Sequence, residues 1–197
     1  MNADSASRFD IVAVAASAGG VQALSTLVGA LPADLPVPVL VVQHLDPRHE
    51  TTMAAILGRR SVLRVKLAVH GERAEPGTVY LAPPDHHLLV DENGELSLSG
   101  SAKEHFVRPA ADVLFESVAR AYGPRAIACV LTGTGRDGAT GAHAVRSHGG
   151  TVIVEDPETA RFDGMPKAVL AEGEVDLVRP LPEIPTALNE LLVANRP

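Results

Sequence analysis

The chain has a single cysteine, fewer basic than acidic residues, no internal repeat and no apolar run that approaches the ~18 residues a bilayer requires. Each shortage excludes something. Cys129 alone cannot form an internal disulfide, a CxxC-type metal site or a redox pair, and within "AIACVLTG" it reads as a buried thiol in a reducing compartment. With 17 Lys plus Arg against 24 Asp plus Glu, the formal net charge of −7 argues against general binding to nucleic acid or to an anionic membrane. A local basic patch stays open. The start, "MNADSASRFD", is polar with no apolar h-region, so neither a signal peptide nor membrane insertion is expected, and the protein reads as soluble and cytoplasmic. With no low-complexity linker, 197 residues of 46% apolar content suit one domain with a substantial core.

What is present alternates between short buried runs and amphipathic segments. After a tail at 1–8, expected to be mobile, residues 9–197 read as one domain. "FDIVAVAAS" (9–17) is apolar on both faces, as in a parallel sheet covered by helices. Val21, Leu24, Val28 and Leu31 recur at helical spacing before Pro32. "VPVLVVQH" (37–44) is a second buried strand, and Asp46 with Pro47 suits the start of a second helix. Residues 62–100 differ: they hold short strands split by Gly, Pro and Asn, and the Asn-Gly pair in "DENGEL" predicts an antiparallel hairpin for the last two. From 109 the helix–strand rhythm returns, and the chain closes on a helix with Ile184, Leu188, Leu191 and Leu192 on one face. The pattern specifies an α/β fold: a doubly wound, mostly parallel, Rossmann-like sheet flanked by helices, with an antiparallel β-hairpin insertion.

In such a sheet ligands bind beyond the carboxyl ends of the strands. Ser17 ends the first strand, His44 the second, and Asp137 lies just past a third, in the glycine-rich "VLTGTGRDGATG". A serine hydroxyl needs a base to become a nucleophile, usually a histidine oriented by a carboxylate, and these residues can converge there. The small residues after Ser17, in "ASAGG", would let a carbonyl approach backbone N–H groups that stabilise an oxyanion. Taken alone, Ser17 also suits a helix N-cap, His44 a core or rim histidine, and Asp137 a turn. The stretch is not the G-x-S-x-G elbow of α/β-hydrolases.

Two other readings carry less. Eight histidines invite a metal site, but His44 and His49 are five apart, His86 and His87 adjacent, and no ligand spacing such as HExxH occurs. No metal is expected, and the adjacent pair reads as the start of a strand near the mouth of the site. A strand, a small-residue turn and a helix start also suit phosphate, yet "ASAGG" is neither G-x-G-x-x-G nor a P-loop.

Taken together, "ASAGG", "VVQH" and "LTGTGRDGATG", with "PGTVYLAPPDHHL", "RPAADVLF" and "FDGMPKAV", resemble the catalytic domain of the CheB family of chemotaxis protein-glutamate methylesterases, over almost the whole chain. The resemblance implies Ser17 as nucleophile, His44 as general base and then acid, and Asp137 as the group orienting the imidazole. It implies oxyanion or substrate contacts at Ala18, Gly19, Thr134 and Arg108, and no cofactor. Ala18 departs from the family's usual threonine and Thr134 from a frequent methionine. The implied partner is a methylated chemoreceptor or another glutamate-methylated protein, with a CheR-type methyltransferase as functional counterpart. Glutamine deamidation by the same triad, or a catalytically silent interaction module, is the alternative. Only eight residues precede "FDIVAVAAS", so a receiver domain is not expected, and control by its phosphorylation is not either.

Overall fold

The computed structural model describes residues 9–44, 51–173 and 175–193. Strand β1 (Ile11–Ala16) is six apolar residues, all buried. Alternation along the strand sends Ile11, Ala13 and Ala15 into one core and Val12, Val14 and Ala16 into the other, so helices must cover both faces. The chain continues as α1 (Gly20–Gly29), β2 (Val39–Gln43), α2 (Met53–Gly58), β3 (Arg64–Leu67), β4 (Thr78–Leu81), β5 (His87–Val90), β6 (Leu96–Ser99) and α3 (Ala111–Tyr122). It finishes with β7 (Ala126–Val130), α4 (Ala139–Ser147), β8 (Thr151–Glu155), α5 (Gly164–Glu172), β9 (Leu177–Arg179) and α6 (Ile184–Val193).

Seven strands form one sheet in the order β3-β4-β2-β1-β7-β8-β9, and every neighbouring pair is parallel. Winding proceeds outward from β1 through β2 and then returns to the opposite side of β1 with β7. That reversal opens a crevice at the carboxyl ends of β1 and β7. Leu24 and Leu27 of α1, Leu57 of α2 and Leu188 of α6 fill one face. Leu114 and Phe115 of α3, Val145 of α4 and Met165 of α5 fill the other. Leu24 and Leu114 are fully buried, and each such side chain contributes about 1.5–3 kcal/mol of transfer free energy.

Strands β5 and β6 pair antiparallel as a separate hairpin. The Asp91 carboxylate shapes its turn, Oδ1 accepting the N–H of Asn93 (2.9 Å) and of Glu95 (2.8 Å). Residues 62–100 read as short strands split by turns, the last two a hairpin; of these, β3 and β4 belong to the parallel sheet and only β5–β6 stands apart. The short β3 lies at the sheet edge, half-exposed, and so lacks the apolar run of a central strand. Another correction concerns α1: its core face is Leu24, Leu27 and Val28, while Val21 is 45% exposed. The tail and the helix start read at Asp46 and Pro47, like His49, lie outside the described residues. Among the described residues no helix is long and apolar enough to cross a membrane.

Candidate active site

The crevice is lined by polar residues that interrupt apolar strands. Gln43 closes β2 and is 6% exposed; its Nε2 donates to the carbonyls of Ser17 (3.0 Å) and His44 (3.1 Å), fastening two strand ends together. The Ser17 N–H donates to Thr132 O at 3.0 Å, tying the end of β1 to the residues after β7. Thr132 in turn accepts the Phe162 N–H at Oγ1 (2.9 Å), lies 3.0 Å from the Ala18 carbonyl, and donates its own N–H to the buried Glu155 carboxyl (2.7 Å).

Between these clamps, Ser17 Oγ–H donates to His44 Nδ1 at 2.9 Å, and His44 Nε2–H donates to Asp137 Oδ2 at 2.7 Å. An ionised carboxylate only accepts, so Asp137 places the ring proton on Nε2 and leaves the Nδ1 lone pair for the hydroxyl. The ring therefore faces its partners in the opposite sense to the chymotrypsin-type template, where Nε2 meets the serine. His44 is 16% and Asp137 3% exposed at the side chain.

Asp137 is held by the start of α3. Its Oδ2 accepts the Ala111 N–H (2.7 Å) and its Oδ1 the Asp112 N–H (3.1 Å), two donors a helix leaves free in its first turn. Burial pushes the Asp137 carboxyl up, but the His44 bond and these two N–H donors outweigh it and hold the group below its ordinary value. The start of α3 is itself fixed. Fully buried His87 donates from Nε2 to Ala102 O (3.0 Å) and accepts the Ala110 N–H at Nδ1 (3.2 Å). His87 thus sits inside the fold, bracing α3, rather than at the mouth of the site, because both ring nitrogens find backbone partners there. Asp112 accepts the Gly141 N–H (2.7 Å) and faces His105 Nε2 (2.9 Å); burial is the main cause raising its carboxyl.

Ser17 is not a helix cap: the N-cap of α1 is Gly19, at φ 78°, without a side-chain bond. A Cβ at Gly20 would fall 1.9 Å from Gln43 Oε1, so the turn has to be this small. Among the described residues the N–H groups of Ala18, Gly19 and Thr134 meet no acceptor. Thr134 is exposed on the loop leading to Asp137. Among the described residues Arg108 makes no hydrogen bond to Ser17, His44 or Asp137. Its guanidinium donates to Asp85 Oδ1 (2.6 and 3.0 Å) and to the carbonyls of Gly100 (2.7 Å) and Ser101 (2.6 Å), which fastens a loop. Ser17 opens into a cavity of about 590 Å³ whose wall includes Val21, Gln22 and Ile56.

Sequence reading brought forward Ser17, His44 and Asp137 but missed Gln43, Thr132, Glu155 and the α3 donors. The signal for the first three was their joint placement, Ser17 and His44 at the ends of buried strands and Asp137 on the glycine-rich loop after a third, where all three can converge. Among the described residues the nearest approach to a metal-binding set is His105, Asp112 and Asp137, with ligating atoms within 4.8 Å of one another. All three are already engaged by the hydrogen bonds above.

The CheB methylesterase family profile matches residues 12–188. The chain belongs to the CheB methylesterase family. The catalytic domain of the CheB methylesterase of Thermotoga maritima, known from a crystal structure, superposes with a TM-score of 0.89 at 43% identity, covering 93% of this chain and 98% of that one. A protein-glutamate methylesterase/protein-glutamine glutaminase of Thermotoga maritima is 44% identical over 185 residues, and one of Methanosarcina mazei 43% over 179 residues. These alignments cover 92% and 87% of this chain but 54% and 49% of the relatives, so the chain spans about half the length of the relatives it matches.

Proposed function

We propose that the chain is a serine hydrolase that demethylates glutamate γ-methyl esters on a partner protein. The observation that carries the reading is the bonded series Ser17–His44–Asp137, at 2.9 and 2.7 Å, at the mouth of the crevice. Ser17 Oγ attacks the ester carbonyl as His44 Nδ1 takes its proton, and the N–H groups of Ala18, Gly19 and Thr134 stabilise the oxyanion. The imidazolium returns the proton to the departing methoxide, so methanol leaves. Water, activated by the same nitrogen, then hydrolyses the acyl-enzyme and regenerates glutamate with free Ser17. Asp137 stabilises the imidazolium throughout without taking its proton.

The partner is a methylated chemoreceptor, as the family resemblance suggests, and the ester it carries must come from a methyl-transferring enzyme of the CheR type. A second reading is deamidation of a glutamine side chain through the same acyl-enzyme; its support is the double name of the relatives, which includes protein-glutamine glutaminase. Time-resolved methanol release from methyl-labelled receptor membranes tests the first reading and ammonia release the second. Ser17→Ala should lower either rate by about 10⁴-fold or more with the melting temperature kept. An active Ser17→Ala protein would remove the proposal.

A further inference from the structure

Among the described residues, the walls of the cavity at Ser17 carry only positive formal charge. Arg60 and Arg161 are the only Lys, Arg, Asp or Glu side chains among the described residues that line it, in a chain whose net charge is −7. Both residues are exposed, and neither pairs with a carboxylate among the described residues. They stand on opposite sides of the nucleophile. Arg60 follows α2, on the β2 side of β1, with its N–H on Leu57 O (3.0 Å). Arg161 follows β8, beyond β7 on the other side. A Cβ at Gly19 would lie 3.2 Å from Arg161 Cδ, so the arginine stem lies across the turn next to Ser17. Its guanidinium is over the Phe162 ring, 5.7 Å from the centroid. Arg161, with Gly19 and Gln22, also borders a second cavity of about 480 Å³, so the two cavities share a wall beside Ser17. Among the described residues of the second wall the only acidic one is Glu155, buried and turned to the Thr132 N–H.

We infer that Arg60 and Arg161 are specificity residues that select a polypeptide segment bearing carboxylates on both sides of the methyl ester. This rests on the esterase reading. Guanidinium groups in a concave site attract and orient carboxylates, and the attraction fades as salt shortens the Debye length. An acidic substrate would otherwise be repelled by the protein's overall charge.

The test uses two peptides of equal length, each with one glutamate γ-methyl ester, one flanked by aspartates and one by lysines. At low ionic strength the wild-type protein should release methanol from the acidic peptide with a kcat/KM about tenfold higher, a preference largely lost near 1 M salt. Arg60→Glu/Arg161→Glu should invert the preference, and single Arg→Gln changes, at exposed positions that spare the fold, should each reduce it. Equal rates, a lysine preference in the wild type, or a preference that survives in the double variant would overturn the inference and leave the esterase reading intact. Hydrolysis of neither peptide would count against the esterase reading instead. Fluorescence anisotropy of the labelled peptides on Ser17→Ala then decides the inference: salt-sensitive preference for the acidic peptide supports it, and equal binding overturns it.

Discussion

His44 turns Nδ1 toward Ser17 and Nε2 toward Asp137, and this makes a single carboxylate responsible for the position of the ring proton. In Asp137→Asn the amide can donate to Nε2, which moves the ring proton to Nδ1 and leaves the serine hydroxyl without an acceptor. Turnover should fall by about 10⁴-fold. Asn also replaces one oxygen that now receives a backbone N–H, so stability should drop by about 1–3 kcal/mol. Methanol release and thermal unfolding, read side by side, check both; near-wild-type turnover would remove Asp137 from its role. At this scale the three chemistry-bearing side chains were legible because each closes or follows a buried strand. The sense of the ring was not, since it depends on where α3 begins. Nor were the partners of Arg108 legible: nothing in the local pattern marks its hold on Asp85, far from it in sequence, and on two backbone carbonyls several residues upstream.

Helix α3 acts through its first turn, whose N–H groups hold Asp137, and that turn is set by packing against α4. Gly141 is the point of closest approach: a Cβ there would come 2.7 Å from Phe115 Cβ and 2.9 Å from the Asp112 carbonyl. Gly141→Ala should therefore push α4 away from α3, cost about 1–3 kcal/mol in denaturant unfolding, and slow methanol release by loosening Asp137. Unchanged unfolding and activity would show that the two helices slide apart without strain. The elements themselves were readable from period: β1, β2, β7 and β8 as unbroken apolar runs, and α3 and α6 as stripes. The α1 stripe was misjudged at Val21, because a helix that borders a cavity has two apolar faces, one packed and one open to the groove. The status of β3 and β4 escaped because partners at a sheet edge are chosen by long-range register, which no local pattern encodes.

Over the whole molecule, buried carboxyls respond to pH in opposing directions. Asp137 is held below its ordinary value, so its contribution to stability is fully present above about pH 4 and is lost as pH falls through the lower folded value. Glu155 is raised, chiefly by burial against the single Thr132 N–H, so stability falls as pH climbs from its ordinary value through its folded one. Glu155→Gln keeps an acceptor for that N–H and removes the titration. Its melting temperature should fall less than the wild type's between about pH 4.5 and 7 in scanning calorimetry; parallel curves would show that Glu155 titrates as in the unfolded chain. Strand β1 has a different consequence. It pairs with β2 on one side and, through Ile11 opposite Ala126, with β7 on the other. A chain emerging from the ribosome that has exposed β1 through β6 holds Ser17 and His44 but neither β7 nor Asp137. Pairing across such a separation is slow. On the proposed reading, the growing chain is thus inert as a hydrolase until β7 has docked against β1 and the loop bearing Asp137 has followed it.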